Sequence, residues 1–213
     1  MASPEVAVSW DHPRWPAPWD HPRWLPPSPW VPRRHDEGVT WTAPNPPELA
    51  DGPLVGDDRP ILEAYLAWQR HTLLSLCAGL SGEQLAERAL PPSSLSLLGL
   101  VRHLGKVERI WFRQRAGGEA IGPLYGSPDD ASLKDADFNE LDPAHAESDF
   151  ARYGEECRLA DAAVTNMGLD DTFTAKGETF SLRVAYVHLI TEYARHNGHA
   201  DLLRERIDGT TGV

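Results

Sequence analysis

The sequence predicts an all-α protein, a four-helix bundle behind a long Trp/Pro-rich N-terminal extension. Three observations lead there. Apolar residues recur at spacings of three and four in four long segments, no two stretches read as a pair of strands, and the first fifty residues have a composition unlike anything that follows.

Residues 1–50 hold twelve of the nineteen prolines and six of the eight tryptophans, and Trp10-Asp11-His12-Pro13-Arg14-Trp15 returns unchanged as Trp19-Asp20-His21-Pro22-Arg23-Trp24. Proline fixes φ and removes a backbone donor, so extended or polyproline-like backbone is expected there rather than helix. Six indole rings carry apolar area that wants a partner surface, so two outcomes are open: a segment wrapped on the domain or on a second subunit, or a disordered extension.

The folded domain is expected over 57–213. Asp58-Arg59-Pro60 begins the first helix with proline in its first turn; Ile61, Leu62, Tyr65, Leu66, Leu73, Leu74 and Leu76 follow at helical spacing, and Gly79 ends it after Ala78. Pro91-Pro92 breaks the chain, and Ser93 or Ser94 can cap a second helix whose stripe is Leu97, Leu98, Val101, Leu104, Val107, Ile110 and Trp111, stopping near Gly117-Gly118. The acidic stretch from Ile121 to Asp142 reads as a long loop. Pro143 opens a third helix to about Met167, Thr172–Phe180 reads as a short extended excursion, and Ser181 caps a last helix from Leu182 to about Ile207, closed by Asp208-Gly209.

That last helix carries the chemistry. His188, Glu192, His196 and His199 are spaced 4, 4 and 3, which puts them within about 80° of one another at 100° per residue. A solvated face is rarely built from three imidazoles and a carboxylate, whereas bundles hold metal ions with carboxylate and histidine one turn apart on facing helices. Glu192 and His196 can reach a common ion. A third ligand must come from elsewhere, and His103 is the single histidine of the second helix, set among Leu100, Val101, Leu104 and Val107. Alone it would read as a hydrogen-bonded core residue; opposite the histidine stripe it reads as a ligand. Two imidazoles and one carboxylate leave coordination positions open, a catalytic rather than a closed structural set. His199 and His188 are expected to orient the ligands or to replace one of them. Arg195 and Asp201 read as an ion pair or as support behind the ligands, and Tyr65, Trp68 and Trp111 as core or pocket wall.

Leu97-Leu98-Gly99-Leu100-Val101-Arg102-His103-Leu104 with Val107-Glu108-Arg109-Ile110-Trp111-Phe112 resembles the second-helix signature of the DinB-like superfamily. Residues Glu192 to Gly209, from Glu192-Tyr193-Ala194-Arg195-His196-Asn197-Gly198-His199 onward, resemble the last-helix signature of a branch common in mycothiol-using bacteria. With Leu80-Ser81 and Pro91-Pro92-Ser93, the resemblance covers 57–213. It implies a metal-dependent thiol S-transferase that joins mycothiol or a similar low-molecular-weight thiol to an electrophilic small molecule. A mycothiol-dependent maleylpyruvate isomerase is a relative. The superfamily's ligands are a histidine on the second helix and a pair spaced by four on the last, often two histidines; the implied set here is His103, Glu192 and His196, with a carboxylate first in the pair as in the isomerase-like relatives. The ion can be zinc, nickel, iron or manganese, all of which accept such ligands. A homodimer is compatible with the superfamily. Two other functions fit the residues: a binding module that docks through its Trp-rich tail while the metal only stabilises it, and a metal-dependent isomerase or hydrolase that needs no thiol.

Composition narrows the partners. The net charge is −12, of which 51–213 carries −10, so the domain repels the phosphate backbone that nucleic-acid binders must neutralise. Cys77 and Cys157 lie far apart within helical segments and read as idle thiols. No stretch of eighteen apolar residues occurs and no export signal opens the chain, so a cytoplasmic protein without membrane contact is expected.

Overall fold

The computed structural model describes residues 40–127, 129–130 and 133–212. The hexamer repeat and most of the Trp/Pro-rich segment lie outside these residues. Its last part packs on the domain: Ala43 exchanges backbone hydrogen bonds with Leu80 (2.9 Å) and Gly79 (2.8 Å), and Trp41 meets the Phe150 ring edge-on at 5.4 Å. The packed chain therefore starts well before residue 57.

Helix α1 (Asp58–Cys77) buries Leu66, Leu73, Leu76 and Cys77 and ends where Gly79 takes a positive φ, as the sequence predicts. A short α2 (Gly82–Ala86) follows, which the sequence reading passed over; Ser81 and Gln84 form its reciprocal capping box. Helix α3 (Leu97–Glu108) is capped by Ser96, whose hydroxyl accepts from the Gly99 N–H at 3.1 Å. This corrects the expected cap at Ser93 or Ser94: the Ser93 hydroxyl accepts from Leu95 N–H and closes a turn before the helix begins. Beyond Glu108 the helix continues in π geometry over Arg109–Ala116.

The region expected to be loop between Ile121 and Asp142 contains a further helix, α4 (Ala136–Asn139), docked on α3. A 3-10 turn at Pro143–His145 leads into α5 (Ala146–Val164), three residues later at its start and three earlier at its end than the predicted third helix. The extended excursion is a hairpin of β1 (Thr172–Ala175) and β2 (Glu178–Ser181), paired Thr172 to Ser181. Lys176 and Gly177 both take positive φ at its two-residue turn, the backbone that matches strand twist. Helix α6 (Leu182–Asp208) is capped by Ser181 and ends at Gly209, close to the predicted limits.

The result is a mainly α-helical fold in which α1 packs on α6, α3 on α5 and on α6, around one apolar core of Leu66, Leu73, Leu97, Leu100, Leu104, Phe112, Leu182 and Leu189. Within that core lies a polar knot. The Arg70 guanidinium donates to Glu108 (2.7 and 2.9 Å) and to Asp161 (3.0 Å twice), and Glu108 also accepts from the Tyr193 hydroxyl at 3.0 Å. Burial pushes the Glu108 carboxyl up against the pull of Arg70. Pairing makes a buried charge tolerable, so these contacts fix α1, α3, α5 and α6 in one arrangement. Both cysteines are buried and free. No helix among the described residues is long and apolar enough to cross a membrane.

Candidate metal centre

Helix α6 crosses α3 with His196 facing His103. Their rings meet edge-on at 4.8 Å between centroids. Glu192, one turn before His196, places Oε2 at 3.5 Å from His196 Nε2 and Oε1 at 3.7 Å from His188 Nε2. One donor atom each from His103, Glu192 and His196 lies within 4.8 Å of the others. An ion bound tetrahedrally at about 2.1 Å from each donor needs donors roughly 3.4 Å apart. The Glu192–His196 pair already matches that spacing, and a side-chain shift of about an ångström brings His103 in. All three side chains are partly buried, so the set opens toward solvent on one side. Two imidazoles and one carboxylate on two rigid helices fit a divalent ion.

What holds His103 is the part that sequence reasoning missed. Its Nδ1 lies 2.7 Å from Asp137 Oδ2, and Asp137 also accepts from Lys106 Nζ at 2.8 Å. Burial alone would raise the Asp137 carboxyl, but the hydrogen bonds from His103 and Lys106 hold it below the usual carboxylate range. An anionic Asp137 takes the Nδ1 proton of His103 as its hydrogen bond and leaves the Nε2 lone pair free, the arrangement by which a carboxylate fixes the tautomer of a liganding histidine.

Asp137 stands there because α4 is pinned. Arg102 donates to the carbonyl oxygens of Asp137 and Ala136 at 3.1 Å each and to Asp149 at 2.9 Å, and its guanidinium lies 4.0 Å from the centre of the Tyr125 ring. Phe138 rests against His103 with ring centroids 4.8 Å apart. Gly99 allows the approach: a Cβ there would sit 2.9 Å from Phe138 Cδ1. The run Gly99-Leu100-Val101-Arg102-His103 thus supplies a docking surface, a clamp and a candidate ligand from one helix face.

His196 is pushed down to about 4, first by burial and then by the nearness of His103, so its imidazole is neutral over the physiological range and its lone pair needs no proton removed before binding a cation. His199 and His188 lie beside the trio rather than in it. His199 Nδ1 is 3.4 Å from His196 Nδ1, and His188 sits against Glu192 and under the Trp111 ring at 4.1 Å, its own imidazole lowered mainly by burial. Trp111 in turn meets Phe180 of β2 edge-on at 5.6 Å. Of the three aromatics left open between core and pocket, Trp111 packs between the core and His188, while Tyr65 and Trp68 are 46% and 50% exposed on α1, where Trp68 lines a cavity with Gln69, Thr72, Asn197 and Asp201. The expected Arg195–Asp201 ion pair does not form, because six residues on a helix put the two side chains about 120° apart.

Among known families, the model described as mycothiol-S-transferase matches residues 61–209, the span from α1 to the end of α6. No curated protein and no solved structure matches the chain.

Proposed function

This chain belongs to the mycothiol-S-transferase family, and we propose on that premise that it is a metal-dependent thiol S-transferase, using mycothiol or a similar low-molecular-weight thiol as the nucleophile toward an electrophilic small molecule. The convergence of His103, Glu192 and His196 inside the matched segment, with a buried carboxylate behind His103, carries the reading. Those three residues would hold a divalent ion, zinc, nickel, iron or manganese, with coordination positions left for a thiol. The ion supplies Lewis acidity that favours the thiolate over the thiol, as coordination does for water.

The chain's own groups do the rest. Asp137 keeps His103 in the tautomer with Nε2 free and stops its ring from turning. His188 and His199 flank Glu192 and His196 and restrict their rotamers. Glu192 cancels one positive charge at the centre, which lowers the charge that a bound thiolate must balance. Trp111, with the Arg115 guanidinium at 4.3 Å and His188 at 4.1 Å from its ring centre and Phe180 at its edge, keeps His188 in place beside Glu192. In the transfer, sulfur forms a bond to the electrophilic carbon while that carbon releases a leaving group or a π electron pair, and the thiol proton passes to solvent or to the adduct. The protein is expected to work in the cytoplasm.

The test is conjugation. Metal-replete protein is mixed with mycothiol and the thiol-alkylating fluorophore monobromobimane, and the conjugate is followed by fluorescence and mass. The reading expects a rate above the uncatalysed one that depends on mycothiol and is lost in Glu192→Gln. A rate equal to background across a panel of haloalkyl and Michael-acceptor electrophiles would overturn it.

A further inference from the structure

The domain is acidic, and its cations are mostly spent on carboxylates. Arg70 is tied to Glu108 and Asp161, Arg102 to Asp149, Arg109 to Glu156, and Arg113 to Glu156 and Glu119. Two arginines at the candidate centre depart from this pattern. Arg195 lies on the face of α6 that carries His188, Glu192 and His199, seven, three and four residues from them, and is exposed with no ion pair or hydrogen bond among the described residues. Arg115 comes from the π-helical end of α3; its guanidinium lies 4.3 Å from the centre of the Trp111 ring, and Trp111 is the ring that covers His188. It too has no carboxylate partner among the described residues. Glu192, the carboxylate of the centre itself, is turned toward His188 and His196.

We infer that Arg115 and Arg195 form a cationic rim beside the candidate metal centre that recognises an anionic group, a carboxylate, on the electrophilic substrate. Arg115 over Trp111 and Arg195 one turn from Glu192 and His199 thus bring two guanidinium charges without a carboxylate partner among the described residues to this end of the site. That arrangement becomes favourable when an anion arrives, because guanidinium binds carboxylate in a planar fork and the pair is stronger where water is partly excluded. The stack of Arg115, Trp111 and His188 gives the reach: a substrate passing the open edge of the Trp111 ring has its anionic end at the guanidinium and its reactive carbon toward Glu192 and His196. The net charge of the domain otherwise repels anions, so the rim also sets where an anionic substrate can approach. The π turn that presents Arg115 is a feature found preferentially at functional sites.

This inference rests on the transferase reading for its reaction but not for its binding step, and the test separates the two. Calorimetric titration with 4-methylbenzoate and with 4-methylbenzamide, which differ only in the charged group, is run on the wild-type protein, on an Arg115→Gln/Arg195→Gln double variant, on the corresponding double lysine variant and on His103→Ala. The rim predicts that the benzoate binds on the order of tenfold more tightly than the amide, as charge-assisted hydrogen bonds do. It predicts that the advantage persists in His103→Ala, is partly kept by the lysines and disappears in the glutamine variant. A second arm compares 4-(bromomethyl)benzoate with 4-(bromomethyl)benzamide in mycothiol conjugation, where the carbon–sulfur bond forms as bromide leaves with the electron pair and the thiol proton goes to solvent. The kcat/KM ratio of acid to amide should fall toward the uncatalysed ratio in the glutamine variant. Equal binding of benzoate and amide to the wild type, or a benzoate advantage that survives the glutamine changes and vanishes in His103→Ala, overturns the rim. A protein that binds the benzoate through the arginines yet conjugates neither bromide supports the rim and refutes the transferase reading.

Discussion

Asp137→Asn tests the support behind His103 with almost no change in shape. The substitution removes the anionic oxygen 2.7 Å from His103 Nδ1 and the partner of Lys106 at 2.8 Å, at a side chain that is 1% exposed and so unscreened by water. A carboxylate behind a liganding histidine is worth about 10–100-fold in metal affinity, roughly 1.4–2.8 kcal/mol. The depth of Asp137 places the loss toward the upper end. The introduced amide can also offer its NH2 to Nδ1 and select the tautomer with the proton on Nε2, which removes the donor lone pair. The fold should survive, because Arg102 still clamps the Ala136 and Asp137 carbonyls and Phe138 still packs on His103. A stability loss of about 1 kcal/mol, roughly 2–4 °C in Tm for a domain of this size, is expected. Competition against a chromophoric chelator gives the affinity and a thermal melt gives the stability. A variant that binds metal within twofold of wild type, with its melt unchanged, would refute the role assigned to Asp137.

Glu108→Gln should cost about 3–5 kcal/mol, since it strips a carboxylate from the buried Arg70 that also pairs with Asp161; the check is a lower urea midpoint at unchanged m-value, and a loss below about 1 kcal/mol would contradict it. The metal-free protein should lose stability as the pH falls. His196 titrates near 4 in the fold against 6.5 when free, so the unfolded chain binds the extra proton between these values; stability is full above about pH 6.5 and drops by about 3 kcal/mol in all by pH 4. Subtracting the same curve for His196→Gln isolates this contribution, and parallel curves would exclude it. Cys77, pushed up to about 12 by burial, and Cys157, pushed up by burial and by Glu108, should resist iodoacetamide in the native protein and react once it is unfolded in urea.

Helix spacing made much of this legible. A stripe at 4, 4 and 3 residues projects from one face whatever that face meets, and the lone histidine of the second helix had few places to point. Ends written in local chemistry were equally readable: Ser181 caps α6, and Gly79 and Gly209 take the positive φ that stops α1 and α6. Tertiary choices were less so. Ser93, Ser94 and Ser96 are equivalent caps in sequence, and the preceding turn engages Ser93 first. Helix α4 has four residues, too few to show a period, and Asp137 stands in a stretch with Asp129, Asp130, Asp135 and Asp142 that look the same in sequence. The apolar Ala136 and Phe138 on either side of Asp137 were the available signal. Tyr65 and Trp68 show the converse, aromatics at core-like spacing that remain at the surface.

The central claim is that His103, Glu192 and His196 hold one divalent ion, and elemental analysis of the purified protein beside His103→Ala, Glu192→Ala and His196→Ala tests it most directly. The account predicts close to one equivalent of a divalent metal in the wild type and its loss in each variant, with all four proteins equally helical by circular dichroism. A metal-free wild type that takes up no zinc, nickel, iron or manganese on addition, or an ion retained by all three variants, would contradict it.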